Sequence, residues 1–467
     1  MEQLSAMDAS FLYIESAQMP QHVIGVMLLD AGAPESQYSY ERFRAVLDER
    51  LHLMPAFQRR LIQAPLHLDH PYWVHDHDVV IDDHLDRVDC PAPGDLPALG
   101  RLVGEIASRR LPRNRPLFEM TLVGGMADGQ VALVAKMHHS TLYGAAGADM
   151  MAQLLDFGPE GREVEPADAL PEEAAPSTVS LLGRAAYNAA RRPVRAAKAV
   201  AGSTKRLGQM GGMVGRSITK RSPVTLPFSA PKTLLNGALT EAREAAFTRT
   251  PFADVKEIKS AFGTKVNDVV LAAVTSALRD YLVARDALPK KPLVASVPMA
   301  LGAGDVAGTD KLSALLVPLP VLEDDPVAQL EQVAEFSRQS KGAIDALGMD
   351  TVSDVAEFVP PLLVVSGSRL YDSLGLARLH PPLQTLVVSN MPGPPIPLYC
   401  AGARVEAVWP FGPLLVGSGL NITVLSNMGN LDVGMLACPD LVPDLWDIAN
   451  AFPKAVETLL TAARART

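Results

Sequence analysis

The sequence predicts an α/β protein of two units, each a mixed β-sheet with helices, joined by a basic linker. Three observations lead there. In both halves, short apolar runs of strand length alternate with longer stretches whose apolar residues recur at helical spacing. From Pro159 to Pro231 that alternation stops, and the chain turns first acidic and Pro-rich, then basic with clustered glycines. Finally, 467 residues at 48% apolar content are enough for two or three domains. Aromatics are only 5%, so the cores must be built mainly from Ala, Val, Leu and Met. The expected division is an N-terminal unit over 1–173, a linker over 174–240 and a C-terminal unit over 241–467.

In the first unit, Tyr40–Leu53 and Ala98–Leu111 have helical spacing, with Leu102, Ile106 and Leu111 on one side of the second. Gln130–Met137 reads as a strand and Gly144–Leu155 as a helix beginning with small residues. Leu181–Lys205 has helical character up to a break at Pro193, and Gly208–Arg221 is Gly-rich. In the second unit, Phe252–Phe262 and Val266–Arg285 form two helices joined at Gly263. Pro292–Val297 and Leu312–Leu319 are strands, and Pro326–Ala343 is a helix. Leu383–Ser389, Asn421–Leu425 and Leu431–Ala437 are further strands, and Pro443–Ala463 closes the chain as a helix.

Composition excludes several classes. Cys90, Cys400 and Cys438 are far apart and odd in number, which argues against a disulfide framework or a Cys-based zinc site and for a reducing cytosol. The start carries acidic residues and lacks an apolar signal core. No apolar run reaches the ~20 residues of a membrane span. Charge is unevenly placed: Ala174–Thr240 holds eleven Lys and Arg and no Asp or Glu, so the rest of this net −10 chain stands at −21. Arg184, Arg191, Arg192, Arg195, Lys198, Lys205 and Arg206 lie among Ala, Val and Leu, a pattern suited to peripheral contact with an anionic membrane or lipid droplet. A solvated linker docked on the acidic body fits equally well. Nucleic acid is disfavoured by the acidic body and by the single aromatic, Tyr187, up to residue 227.

The chemistry concentrates at Met137–Gly144, MHHSTLYG, which follows a strand and opens a helix, a place where α/β folds expose reactive groups. Neighbouring side chains of an extended backbone face opposite ways, so one of His138 and His139 can face a channel while the other packs. A neutral imidazole is a suitable base for an alcohol. The alternative is a structural pair at a strand end. A second group, His67, His70, His75, His77 and His84 among several Asp, matches no helical HExxH spacing. It reads as a solvated edge strand, and no metal is expected. There is no GxSxG elbow. The Gly211–Gly215 run is neither a P-loop nor a dinucleotide fingerprint.

These segments, taken in order, resemble the bacterial wax ester synthase/diacylglycerol acyltransferase family, within the chloramphenicol-acetyltransferase-like group. His138, His139 and Gly144 stand in register with its HHxxxDG signature, with Tyr143 in place of Asp. Pro116-Leu117-Phe118-Glu119 is similar to its PLWE, and Asn267-Asp268-Val269-Val270 to its ND helix. Ser389-Asn390-Met391-Pro392-Gly393-Pro394 resembles SNVPGP, and Gly417–Thr423 resembles GxGLNIT. Leu4–Ala9 and Val442–Asp444 fit as well.

The resemblance implies two chloramphenicol-acetyltransferase-like domains with an active-site tunnel between them. It implies acyl transfer from acyl-CoA, a co-substrate, to a lipid alcohol such as a diacylglycerol or fatty alcohol, with no bound cofactor. His139 would be the base, with His138 beside it. Asn267, Ser389, Asn390 and Asn421 are candidates to support the reaction or its oxyanion. Asp268 would brace or cap its helix. Tyr143 cannot supply the carboxylate of the motif, so the expectation carries an alternative: an impaired or non-catalytic lipid-binding homologue.

Overall fold

A computed structural model describes residues 1–34, 36–142, 152–166, 176–188, 190, 228–300, 312–347 and 380–466. Its centre is two mixed sheets. The seven-stranded sheet has the order β5-β6-β7-β2-β14-β13-β8. Its strands are β2 (His22–Asp30), β5 (Leu85–Asp89), β6 (Phe118–Gly124), β7 (Val131–His138), β8 (Leu155–Asp156), β13 (Tyr399–Cys400) and β14 (Ala403–Phe411). The six-stranded sheet has the order β11-β10-β12-β15-β16-β9. It contains β9 (Glu244–Pro251), β10 (Leu293–Ala300), β11 (Leu312–Leu319), β12 (Leu386–Met391), β15 (Leu420–Asn427) and β16 (Asn430–Ala437). A third, three-stranded sheet joins β1 (Glu2–Gln3), β4 (Tyr72–His75) and β3 (Arg59–Ile62).

The sheets share strands across the linear sequence. Although β13 and β14 come from the C-terminal half, they complete the N-terminal sheet, with β14 antiparallel to β2. Nothing in the hydrophobic pattern of 399–411 announces that crossing, because a strand's alternation specifies a buried face and not a partner. Its extra residue, Glu406, makes a bulge between Val405 and Ala407. The backbone groups released there are met from the other sheet: Asp432 of β16, fully buried, accepts from Val408 N (2.9 Å), and Arg249 of β9 donates to Glu406 O. Arg249 also pairs with Asp432 at 2.6 Å, so the bulge is filled by an ion pair whose lone pairs and donors are used.

Helices cover the sheets where apolar spacing predicts them. They are α1 (Ala6–Ile14), α2 (Tyr40–Arg50), α3 (Leu96–Ser108), α4 (Phe252–Phe262), α5 (Val266–Val283), α6 (Pro326–Leu347) and α7 (Leu445–Arg464). Gly263, at φ 65°, ends α4 in the left-handed conformation that glycine adopts without penalty. α5 and α7 pack on one face of the six-stranded sheet through Val269, Val270, Leu278, Phe452 and Val456 against Val388, Ile422 and Val424. α3 lies between the two sheets: Leu99, Val103 and Ile106 join Phe247, Trp409 and Phe411 in one core. The approach is close enough that a Cβ on Gly104 would sit 2.2 Å from Arg243 O.

The expected elements recur with ends shifted by a few residues. Leu312–Leu319 matches at both ends, and β10 runs on to Ala300. The Tyr72–His75 segment requires a correction. It is the middle strand of its sheet, paired on both sides and buried at Tyr72, Trp73 and Val74, not a solvated edge. Only His75 of the clustered histidines lies on this strand, and His84 is itself buried. The expected Gly144–Leu155 helix and most of the basic stretch lie outside the described residues. Residues 178–188 are helical, close to the expected start at Leu181.

Candidate active site

β7 delivers the histidine pair. It is central, flanked by β2 and β6, and seven of its eight residues are buried. His138 is its last residue, opposite His22 on β2. His139 begins a short 3-10 turn, His139–Thr141, held by Thr141 Oγ1 donating to His138 O at 2.7 Å. The backbone N–H of His139 donates to Gln21 O at 2.7 Å. The two side chains diverge as expected: His138 is buried, and His139 is partly exposed.

Lys136, buried two residues earlier, anchors the strand. Its ammonium donates to Ile106 O (3.2 Å) and Arg109 O (3.0 Å) at the end of α3 and pairs with Glu119 at 2.8 Å. A cation at a helix C-terminus satisfies carbonyls that would otherwise lack partners.

The imidazole of His139 stacks on Phe11 of α1, with centroids 3.9 Å apart and planes 21° from parallel. Ser5 caps α1, accepting from Asp8 N at 3.0 Å, and Ala9, Leu12 and Tyr13 bury its inner face. Burial lowers the His139 imidazole to about 4, and His22 to about 3. His138 is driven well below the usual histidine range, first by burial and then by its neighbours His22, Arg113 and His139. At neutral pH all three rings are therefore uncharged, the state a general base needs before it takes a proton.

Around the pair lies a group that sequence reasoning missed. Glu15, just past α1, has a side chain only 3% exposed, and its Oε2 is held by Arg113 at 2.5 Å. Its Oε1 stands 3.6 Å from Nε2 of both His138 and His22. Arg113 also donates to Leu12 O at 3.1 Å. A lone acid after a Phe-Leu-Tyr-Ile run was the available signal, since a carboxylate so placed on an apolar helix needs a partner.

The other expected residues separate into two groups. Asp268 caps α5: its carboxylate accepts from Lys265 N at 2.9 Å, and Asn267 beside it is half-buried in the first turn. Ser389 and Asn421 lie on neighbouring strands, since Ser389 pairs in register with Thr423. They alternate with Val388 and Ile422, whose side chains pack against the helices, and so occupy the opposite face. Asn421 is buried and committed, donating to Pro413 O at 3.1 Å and accepting from Thr423 Oγ1 at 2.8 Å. Because Phe411 pairs with Ile24, Pro413 lies at the end of the sheet where His22 and His138 sit, and Asn421 is tied to that end. Asn390 is half-buried and points away from the Ser389 face. Among the described residues no hydrogen bond links any of these five to a histidine of the pair. Tyr143 and Gly144 lie outside the described residues.

Family models match nearly the whole chain. The wax ester synthase/diacylglycerol acyltransferase catalytic domain matches residues 4–270, and the C-terminal domain of the same family matches 310–460. A Mycobacterium tuberculosis protein, provisionally named a diacylglycerol O-acyltransferase, is 36% identical over 464 residues, covering 98% of this chain and 90% of the relative. Another from the same species, similarly named, is 33% identical over 473 residues, covering 98% and 99%. Among solved structures, a wax ester synthase/diacylglycerol acyltransferase from Marinobacter aquaeolei superposes with a TM-score of 0.69 at 25% identity, covering 99% of this chain and 100% of that one. The first condensation domain of the CDA synthetase shares the fold, with a TM-score of 0.52 at 17% identity over 99% and 96%.

Proposed function

The chain belongs to the wax ester synthase/diacylglycerol acyltransferase family and is an acyl-CoA-dependent O-acyltransferase of lipid alcohols, and from that premise we propose that its acceptor is a diacylglycerol and its general base His139. The observation that carries the second part is the uncharged, partly exposed imidazole at the end of β7, stacked on Phe11. In this reading His139 takes the proton of the acceptor hydroxyl as its oxygen attacks the thioester carbonyl. The tetrahedral intermediate then collapses, the C–S bond breaks, and the imidazolium returns the proton to the departing CoA thiolate. Ser389 lies on the strand face opposite the helices and is the oxyanion candidate we favour, because the amide of Asn421 is already engaged.

The two-unit division at 1–173 and 241–467, with 174–240 between, belongs to the same proposal. So does a cytoplasmic site of action, at the inner membrane face or a lipid droplet. No helix among the described residues is long and apolar enough to cross a membrane. The helix over 178–188 docks through Leu181, Ala185 and an Asn188–Asp69 hydrogen bond of 2.7 Å. That leaves Val179 and Leu182 exposed, as is Leu66, which takes a φ of 54° on the loop preceding Asp69. Exposed apolar side chains in a sequence segment that holds eleven Lys and Arg and no Asp or Glu are suited to an anionic lipid surface.

One assay tests the acceptor, the base and the lipid-surface parts. Purified protein is supplied with palmitoyl-CoA and either dioleoylglycerol or hexadecanol in neutral or anionic vesicles, and CoA release is followed with a thiol reagent. Release with dioleoylglycerol in excess of hexadecanol is expected, stimulated by anionic vesicles and reduced by salt. His139→Ala should lower it by about 10²–10⁴-fold. Equal release from His139→Ala would overturn the base assignment, and preference for hexadecanol would overturn the acceptor. A gain in Tyr143→Asp would show that the motif departure restrains the rate.

A further inference from the structure

Glu15 is among the most confined carboxylates of the chain, and the acyl-transfer chemistry above does not use it. One oxygen is occupied by Arg113 at 2.5 Å. The other, Oε1, is buried without a hydrogen-bond partner among the described residues, and so is Nε2 of His138, 3.6 Å away. Two orphaned, complementary buried atoms facing each other at less than one atomic diameter beyond bonding distance are unusual, since buried polar groups are nearly always paired.

The protonation of His138 follows from its other nitrogen. Nδ1 accepts from the backbone N–H of Ser140 at 3.1 Å and lies 2.7 Å from Ser140 Oγ. A neutral imidazole whose Nδ1 accepts carries its proton on Nε2. The proton of His138 thus sits on the nitrogen that stands 3.6 Å from the Oε1 of Glu15. His22 Nε2, equally close to Glu15, instead accepts from Leu111 N at 3.4 Å and so offers no proton there.

We infer that Glu15, locked by Arg113, is a positioning residue of the transferase: it holds His138 in its Nε2–H tautomer and, through the Ser140 backbone bond, fixes the turn that aims His139. The chain of contacts is continuous. Arg113 fixes the carboxylate, the carboxylate orients His138, His138 Nδ1 holds Ser140, and the His139–Thr141 turn is set. α1 acts on both members of the pair, placing Phe11 on one face of His139 and Glu15 under His138. In this family's motif the acid that follows the histidines is Tyr143 here, so a carboxylate brace arriving from the N-terminal helix has particular value for this chain. The kinetic consequence rests on His139 being the base; the tautomer of His138 does not.

The test uses the full-length protein with ¹⁵N-labelled histidine, the His138 signals being assigned by their loss in His138→Gln. The wild type should show His138 purely as the Nε2–H tautomer. Glu15→Gln keeps the side-chain volume and a partner for Arg113 but removes the charged acceptor. It should yield a mixed tautomer and lower kcat by about 100-fold with KM for acyl-CoA unchanged, the signature of a misaimed base. Glu15→Asp, which retracts the carboxylate by one methylene, should fall between the two and serves if the Gln variant does not fold. An unchanged His138 tautomer in both variants, or wild-type kcat in Glu15→Gln, would overturn the inference. If the wild type itself lacks transferase activity, the proposed function fails, while the tautomer measurement still decides this one.

Discussion

Acidification should unfold this protein earlier than its size suggests, because histidines that the fold keeps uncharged, chief among them His22, His138 and His139, take up protons once the chain unfolds. Consider a shift from pH 7.5 to 5.5. In the unfolded chain each histidine titrates near 6.5 and takes up most of a proton across that interval. In the folded chain His139 titrates at about 4, His22 at about 3, and His138 well below its usual range, so none does. The unfolded state binds more protons, and stability therefore falls as pH falls. The loss begins near 6.5 and continues until the folded values are reached. Because the folded values all lie beneath the interval, each group contributes somewhat over ~1 kcal/mol over these two pH units, or about 4 kcal/mol for the three together.

Carboxyls whose titration burial pushes up, Asp8 and Glu244, oppose them. Burial raises Asp8 to about 6, so it takes up a proton in the folded state first and returns about 1 kcal/mol over the same interval. The expected net loss is about 3 kcal/mol, a large share of an ordinary domain's margin. Urea unfolding at pH 7.5, 6.5 and 5.5 measures it, provided the m-value stays constant. His22→Gln should remove about a third of the three-histidine loss. A midpoint that does not move between 7.5 and 5.5, or a slope that His22→Gln leaves intact, would refute the reasoning, since it would mean that these rings are already open to water.

Two further outcomes follow from the way the sheets meet. Gly104→Ala places a methyl 2.2 Å from Arg243 O, and backbone cannot yield as a side chain would, so a loss of about 1–3 kcal/mol in urea unfolding is expected, whereas Gly183→Ala, with open space, should cost nothing. Asp432→Ala removes the acceptor of Arg249, Val408 N and Asn427 at once; a loss of about 3–5 kcal/mol is expected, checked by the same unfolding experiment, and retention of wild-type stability would show the bulge to be solvated instead.

How much of this was legible beforehand depended on whether the information is local. Helices such as α5 and α7 announce themselves because their apolar spacing and their ends are written in adjacent residues. The histidine pair was visible for the same reason: an unusual dipeptide between a strand pattern and a run of small residues. Asp268 was legible as a cap, since capping is a relation between residues three apart. What stayed hidden is pairing at a distance. Glu15 and His138 are far apart in sequence, and no periodicity relates them. The placement of β14 beside β2 is a choice of partner among strands of similar composition. The His67–His84 segment misled because polar letters were read as exposure, whereas Tyr72, Trp73 and Val74 are buried and so are two of the polar residues, Asp69 and His84.

The donation of β14 to the first sheet has a consequence for biosynthesis. A ribosome makes the chain from the N-terminus, and β2 emerges long before β14. Its permanent neighbour on one side, β14, is not complete until Phe411. Until then the backbone N–H and C=O groups along that edge of β2 have no native mate, for most of the time the chain takes to be made. An open strand edge invites pairing with another chain, and contacts closed over so long a loop form late. The first sheet is thus unfinished until the roughly 380 residues that separate Asp30 from Phe411 have been made, and the nascent chain has reason to need shelter over that interval.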